Sequence, residues 1–320
     1  MHVLLTGALG KLGRAAIAEL VERGHTVRCF DVETAVNRRH ARALPAGATA
    51  CWGDIRDRES VQAAVQGCEA VIHNAAVLPP ASEQHPELAE AVNVQGTRLV
   101  LEAMAEQPGD PLLIFSSSVV VFGRQQHKAP PRRVDEPLDP VDNYSRHKAA
   151  CEAMIQQSKV RWVILRIGVA LDPTIHDTNR ENFRMLFDAA LETRMEYVHN
   201  TDVAFAQVQA LDCADAWRKI LLIGGGPDCQ ITQRELLGSV CEALGIEMFP
   251  DEAFTELSFY TDWLDTEESQ RLLAYQRHTW AQYSRALSDE FRTVRWLIWP
   301  VRPLLRNWIL GFSSRWKARS

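Results

Sequence analysis

Between a short apolar run, His2–Thr6, and an amphipathic stretch, Lys11–Arg23, lies the segment Thr6-Gly7-Ala8-Leu9-Gly10-Lys11-Leu12-Gly13. Three glycines at this spacing, after a strand and opening a helix, restrict the chain to few folds. Gly7 permits a tight turn, Gly10 lets the main chain approach a ligand, and Gly13 allows close packing of helix on strand. The helix N-terminus then offers unpaired N–H groups and a partial positive charge to phosphates. The loop predicts a dinucleotide site contacted by Gly7, Leu9, Gly10, Lys11, Leu12 and Gly13. Asp31 closes the next apolar run, twenty-four residues after Gly7. A carboxylate there bonds the ribose hydroxyls and repels a 2′-phosphate, which favours NAD over NADP. Arg38 and Arg39 are the competing signal, within reach of such a phosphate.

The pattern keeps alternating downstream. Thr26–Phe30, Thr49–Trp52, Ala70–His73, Leu112–Ser116 and Trp162–Ile167 read as short strands. Ser60–Gln66, Pro86–Glu106 and Asn143–Gln157 read as helices between them. Strands alternating with helices predict βαβ units and a parallel sheet covered on both faces. The expected fold class is therefore α/β, with a doubly wound parallel (Rossmann) sheet over residues 1–170 to which 200–223 return. Residues 171–320 are expected to form a smaller, mostly helical substrate-binding lobe with a basic, Trp-rich tail. Within it Glu181–Arg194 and Asp212–Ile223 read as helices, Ala204–Val208 as a further strand and Gly224–Pro227 as a turn. A helix from Thr232 to Leu244 has a capping box, Thr232 with Glu235, and Gly245 to close it.

Tyr144 and Lys148 stand at i and i+4 on the Asn143–Gln157 helix, hence on one face. A free tyrosine titrates near pH 10, roughly three units too high for efficient proton transfer at neutral pH. A lysine ammonium one turn away is expected to stabilise the phenolate, and three units amount to about 4 kcal/mol. Ser116-Ser117-Ser118 closes a strand twenty-six residues before Tyr144, and a hydroxyl there can hold a substrate oxygen beside the phenol. The residues alone leave Ser117 and Ser118 as equal candidates.

Together these elements resemble the extended short-chain dehydrogenase/reductases, the NAD-dependent epimerase/dehydratase family. Further matching segments are Gly53-Asp54-Ile55, His73-Asn74-Ala75-Ala76, Asn93-Val94-Gln95-Gly96-Thr97, Ser116–Gly123, Leu165-Arg166 and Asp212-Cys213-Ala214. The resemblance implies that Asp54 and Ile55 flank the adenine and that Ala75 and Ala76 line the cofactor cleft. It also implies that Asn93 organises the proton-relay helix and that Ser118 is the catalytic serine, with Tyr144 and Lys148. Several positions depart from the family pattern. Lys11 stands in place of an aromatic or aliphatic residue, and Phe122 replaces a frequent tyrosine. Val119 and Val120 stand where dehydratases carry an Asp–Glu pair, which argues against elimination of water. The run Phe205–Gln209 lacks the arginine and histidine that sugar epimerases usually carry, which weakens a nucleotide-sugar substrate. The expected reaction is the interconversion of a secondary alcohol and a ketone with NAD. An epimerase working through a transient ketone is the alternative, and a non-catalytic NAD-binding scaffold is a third reading.

The remaining features carry less chemistry. Ten histidines show no zinc spacing, so no metal is expected. Seven scattered cysteines without a CxxC pair fit a reducing, cytoplasmic setting. No run of eighteen apolar residues suggests a membrane span. The net charge of −6 hides an asymmetry: after Glu290 there are seven basic residues and no acidic one, with Trp296, Trp299, Trp308 and Trp316 among them. That tail is expected to dock on its own body or on the second subunit of a homodimer. Peripheral membrane contact is the second reading, and nucleic-acid binding is disfavoured by the acidic remainder of the chain.

Overall fold

The computed structural model describes residues 1–173, 184 and 186–317. Seven strands form one fully parallel sheet: β1 (His2–Thr6), β2 (Thr26–Asp31), β3 (Ala48–Trp52), β4 (Ala70–His73), β5 (Leu112–Ser118), β6 (Arg161–Ile167) and the later Ile220–Ile223. Their order is β3-β2-β1-β4-β5-β6 with Ile220–Ile223 at the far edge. The order reverses between β1 and β4, and in such sheets ligands bind in the crevice at the carboxyl ends of those strands. Helices α1 (Lys11–Glu22), α2 (Ala35–Ala41) and α3 (Arg58–Val65) follow the first three strands. The short α4 (Ala81–Gln84) and α5 (Pro86–Glu90) lead into α6 (Gly96–Ala105), and α7 (Asn143–Gln157) connects β5 to β6.

Both faces of the sheet are buried, as its continuous apolar strands require. On one face Leu5, Val27, Ile72 and Ile114 pack under Ile17 and Leu20 of α1 and under the later helix Asn200–Asp212. On the other, Leu4, Val71, Leu113 and Ile164 pack under α3, α6 and α7. His73 is part of that interior. It accepts or donates to Thr6 Oγ1 at 2.6 Å and Thr97 Oγ1 at 2.9 Å, and burial lowers its pKa to about 3.

Through β6 the expected elements fall within two residues of their positions, with one internal exception, while α2 and α4 had no expected counterpart. Pro86–Glu106 is not one regular α-helix: Ala91–Gln95 forms a π turn between α5 and α6. Beyond β6 the differences grow. A small second sheet pairs β7 (Val169–Leu171) with β8 (Arg194–His199), and β8 antiparallel with the later Gln230–Thr232. Of the helix expected over Glu181–Arg194, only residues 181–183 and 185 lie outside the described residues; Leu186–Thr193 form turns and bends instead, and Arg194 opens β8. Ala204–Val208 is not a strand but the centre of α8 (Asn200–Asp212). The helix expected over Asp212–Ile223 is instead the end of α8, one 3₁₀ turn, and β9 (Ile220–Ile223). The cause is burial. Val203, Ala204, Ala206, Gln207, Val208, Ala210 and Leu211 are all buried, so through Leu211 α8 keeps only a narrow half-buried stripe, Thr201, Phe205 and Gln209, to mark its period. After β10 (Gln230–Thr232), α9 (Gln233–Leu244) has the expected capping box and a left-handed Gly245. Helices α10 (Glu267–Leu273), α11 (Trp280–Glu290), α12 (Arg292–Leu297), α13 (Arg302–Leu310) and α14 (Ser314–Lys317) complete a mostly helical lobe.

Candidate active site

The loop from β1 to α1 turns at Gly7 with φ +61°, where a Cβ would stand 2.8 Å from the Ala75 nitrogen. A Cβ on Gly13 would meet the carbonyl oxygens of Gly7 and Ala8 at 2.4 Å. These two glycines therefore let the loop fold against the segment after β4 and onto its own helix. Asp31, at the end of β2, accepts from the Leu9 and Val32 N–H groups at 2.9 Å and from Asn37 Nδ2 at 3.1 Å. Burial pushes its pKa up, opposed by those three donors. Arg38 is turned to Glu33, 3.0 Å away.

A cleft of about 890 Å³ opens over the carboxyl ends of the strands. It brings together Gly7, Gly10, Lys11, Leu12, Gly13, Asp31, Asp54, Ile55, Ala75 and Ala76 with Ser118, Tyr144 and Lys148. Two expected residues do not line it. The Leu9 side chain is buried, and only its N–H serves the site, through Asp31. Asn93 lies inside the π turn and clamps the loop after β4: Val77 N–H donates to its Oδ1 at 2.7 Å, and its Nδ2 donates to the Val77 carbonyl at 3.0 Å. The same side chain reaches His147 Nδ1 at 3.4 Å, a neighbour the helix spacing had not suggested. The cleft fits a dinucleotide: a glycine turn that a Cβ would fill, helix N–H groups, and a carboxylate at the end of β2.

Tyr144 sits in the first turn of α7, whose start is held by several bonds. Asp142 is the N-cap in a capping box with Ser145. The Glu83 carboxylate accepts from the N–H groups of Asn143 and Tyr144 at 3.2 Å, and Tyr260 donates its hydroxyl to Asp142 from the second lobe. Lys148 is buried one turn later. Its Nζ donates to the Ser116 carbonyl at 2.5 Å and lies 5.7 Å from the centre of the Tyr144 ring. Burial lowers Lys148 to about 8. The phenol departs from expectation: burial, then the charge of Asp142, push Tyr144 up, not down. The ammonium faces the Ser116 carbonyl and the Phe115 ring, 4.7 Å to its centre, so desolvation dominates at the phenol.

The three serines part by their partners. Ser116 Oγ donates to Asn74 Oδ1 at 2.6 Å and accepts from Gln207 Nε2 at 2.7 Å. Ser117 is buried and donates to Glu152 at 2.5 Å. Ser118 Oγ takes one long bond, from Val120 N at 3.4 Å, beside Tyr144 in the cleft. Behind them Glu152 pairs with Arg166 at 2.8 Å, both buried. Sequence reasoning assigned no role to Glu152, Gln207, Asn74, Asn37 or Glu83. A glutamine inside the apolar run of α8, and an arginine inside apolar β6, were the available signals.

The profile of the NAD-dependent epimerase/dehydratase family matches residues 3–224. The chain belongs to this family. Its cofactor is accordingly NAD. Human 3 beta-hydroxysteroid dehydrogenase type 7 is 30% identical over 248 residues, which cover 69% of this chain and 66% of that protein. The sterol-4-alpha-carboxylate 3-dehydrogenase (decarboxylating) of Mus musculus is 25% identical over 193 residues, 60% of this chain and 51% of that one. The aligned regions thus span from about half to about two thirds of these relatives. A UDP-glucose-4-epimerase from Stenotrophomonas maltophila, solved with bound NAD and formylated UDP-arabinopyranose, shares the fold at TM-score 0.74 and 23% identity. That alignment covers 92% of this chain and 98% of the epimerase. Among the described residues no group of His, Cys, Asp and Glu could hold a metal, and no helix is long and apolar enough to cross a membrane.

Proposed function

We propose that the protein is an NAD-dependent oxidoreductase that interconverts a secondary alcohol and a ketone, with Ser118, Tyr144 and Lys148 as its catalytic set. The observation that carries this reading is that Ser118 and Tyr144 both line the cofactor cleft, while the hydroxyls of Ser116 and Ser117 are engaged by other side chains. Bound NAD would supply a hydride acceptor for the alcohol carbon and a positive charge that favours the Tyr144 phenolate against the burial that raises its pKa. As a phenolate, Tyr144 Oη would take the hydroxyl proton, and Ser118 Oγ would hold the same oxygen. Lys148 would stay protonated to support the phenolate, while Asn93 keeps the Ala75–Val77 wall in place. Asp31 would hold the adenosine ribose, with Asp54 and Ile55 at the adenine.

We take residues 1–170 with 200–223 as the cofactor unit and 171–320 as the substrate lobe, a division supported by the packing of α8 and β9 on the main sheet. We also infer an apolar, sterol-like alcohol as the substrate class. Val77, Leu78, Leu88 and Val92 line the cleft, with Leu78 and Leu88 half exposed. The names of the dehydrogenase relatives point the same way. Seven unpaired cysteines support a reducing cytoplasmic setting.

The test is NADH formation from a panel of 3β-hydroxysterols and smaller secondary alcohols. Net NADH is expected with wild type. Tyr144→Phe should lower turnover by roughly 10²–10⁴ while NAD affinity is retained. Substrate isomerised without NADH would indicate the epimerase reading, and NAD binding without turnover would indicate a scaffold.

A further inference from the structure

Helix α13 is apolar on two faces. Ile309 and Leu310 are buried among Phe187, Phe249 and Phe254. Leu304 and Trp308, one turn apart, are 70% and 48% exposed. The preceding segment adds Trp296 at 77%, Leu297 at 61%, Trp299 at 66% and Val301 at 44%. Six large apolar side chains thus meet water within residues 296–308, and Trp296, Trp299 and Trp308 are the exposed tryptophans among the described residues. Soluble surfaces rarely leave such patches bare without a contact to make.

The charged residues of the segment itself are all basic. No acidic residue follows Glu290, while Arg292, Arg295, Arg302, Arg306, Arg315 and Lys317 do. Arg306 donates to the carbonyls of Glu247 and Met248, and Arg302 to that of Arg295. The Arg306 bonds fix the segment on the lobe, and carbonyl acceptors leave the guanidinium charges uncancelled. Among the described residues, Arg315 alone of these pairs with a carboxylate, Glu256 at 2.8 Å.

We propose that this face docks the protein on an anionic lipid surface, with the Trp296–Trp308 side chains at headgroup depth and the arginines against lipid phosphates. Tryptophan flanked by basic residues suits that boundary, since the indole buries its rings and keeps its N–H near water. A second copy of the chain fits less well, because a two-fold contact would set this positive segment against itself. A nucleic acid would engage the arginines and leave Leu297 and Leu304 in water. The inference is independent of the reaction assigned to the cleft.

The test uses the full chain with NAD and phosphatidylcholine vesicles, with and without phosphatidylserine. Co-sedimentation is expected with the anionic vesicles alone. It should weaken as salt shrinks the Debye length from about 10 Å to about 3 Å. The variant Trp296→Ser/Trp299→Ser/Leu304→Ser should lose roughly tenfold in vesicle affinity with unchanged NAD affinity, which shows that it is folded. Absence of binding to anionic vesicles, equal binding to neutral ones, or full binding by the triple variant would overturn the proposal. So would light scattering that shows a wild-type dimer becoming a monomer in the variant, because the patch would then be covered by a second copy.

Discussion

Lys148 holds its ammonium away from water, against the Ser116 carbonyl and the Phe115 ring, and burial brings its pKa down to about 8. An unfolded lysine titrates near 10.4. Between those values the unfolded chain binds more protons than the native one, so stability rises with pH across that window. Below about pH 8 the cost of the buried charge is present in full. A shift of about two units corresponds to roughly 3 kcal/mol, less whatever the Ser116 bond returns. Lys148→Met should therefore raise the melting temperature by a few degrees at neutral pH. The gain should fade as pH climbs toward about 10, while turnover is lost. Melting curves across that range decide the matter: a lower Tm at neutral pH would mean that the carbonyl bond outweighs the desolvation. At this scale the sequence was informative where chemistry demands fixed local spacing, as for Gly7–Gly13, Asp31 and Tyr144 with Lys148. The residues alone did not separate Ser118 from Ser117, which the resemblance and then the Ser117–Glu152 bond do, and the direction of the Tyr144 shift depended on burial. Neither has a local signature.

Three elements meet behind the serines. Glu152 on α7 accepts from Ser117 at the end of β5 and pairs with Arg166 in β6, all out of water. Removing one partner of such a pair leaves a buried charge uncompensated and typically costs about 3–5 kcal/mol, whereas an apolar replacement of both can be nearly neutral. Glu152→Gln is expected to cost that much in urea unfolding, and Glu152→Met/Arg166→Met less than either single change. A double variant as unstable as the sum of its parts would show that the pair contributes no coupling. The pair was hard to read beforehand because its members lie on different elements. The misread stretch from Ala204 to Ile223 has a related cause. Through Leu211, helix α8 is buried except for a narrow half-buried stripe of Thr201, Phe205 and Gln209, too thin and too apolar to mark a helix, whereas α9 carries Thr232, Glu235 and Gly245 at its ends. The π turn at Ala91–Gln95 likewise has no sequence mark; it turns Asn93 toward Val77 and leaves its carbonyl to Thr97 Oγ1 and Cys151 Sγ.

For the whole molecule, the positive segment after Glu290 was expected to pack on the body or a second subunit, or to meet a membrane, and its inner face packs on the body. Ile309, Leu310 and Ser313 are buried, Ser313 donating to the Ala253 carbonyl at 2.6 Å. The inner face therefore belongs to the lobe's own core, and deleting Phe291–Ser320 would strip that core instead of simply removing an appendage. A single substitution probes the arrangement more cleanly. Ile309 touches the cluster around Phe187, Phe249 and Phe254, which is separate from the two clusters that sandwich the main sheet. Ile309→Ala should cost about 2–5 kcal/mol, the usual range for emptying a packed aliphatic site. The cofactor contacts proposed here all precede Ile167, in elements that rest on the sheet clusters, so NAD affinity should stay close to wild type as the lobe is weakened. The expected result is an earlier, smaller melting transition for the lobe, followed by one that NAD still raises through its binding to the folded sheet unit. Arg132 opposes this separation, since it pairs across the two units with buried Asp262, and Arg194, the other partner of Asp262, donates to the Gln126 carbonyl at 3.0 Å. A single transition lowered together with NAD affinity would show that this network makes the chain one cooperative unit.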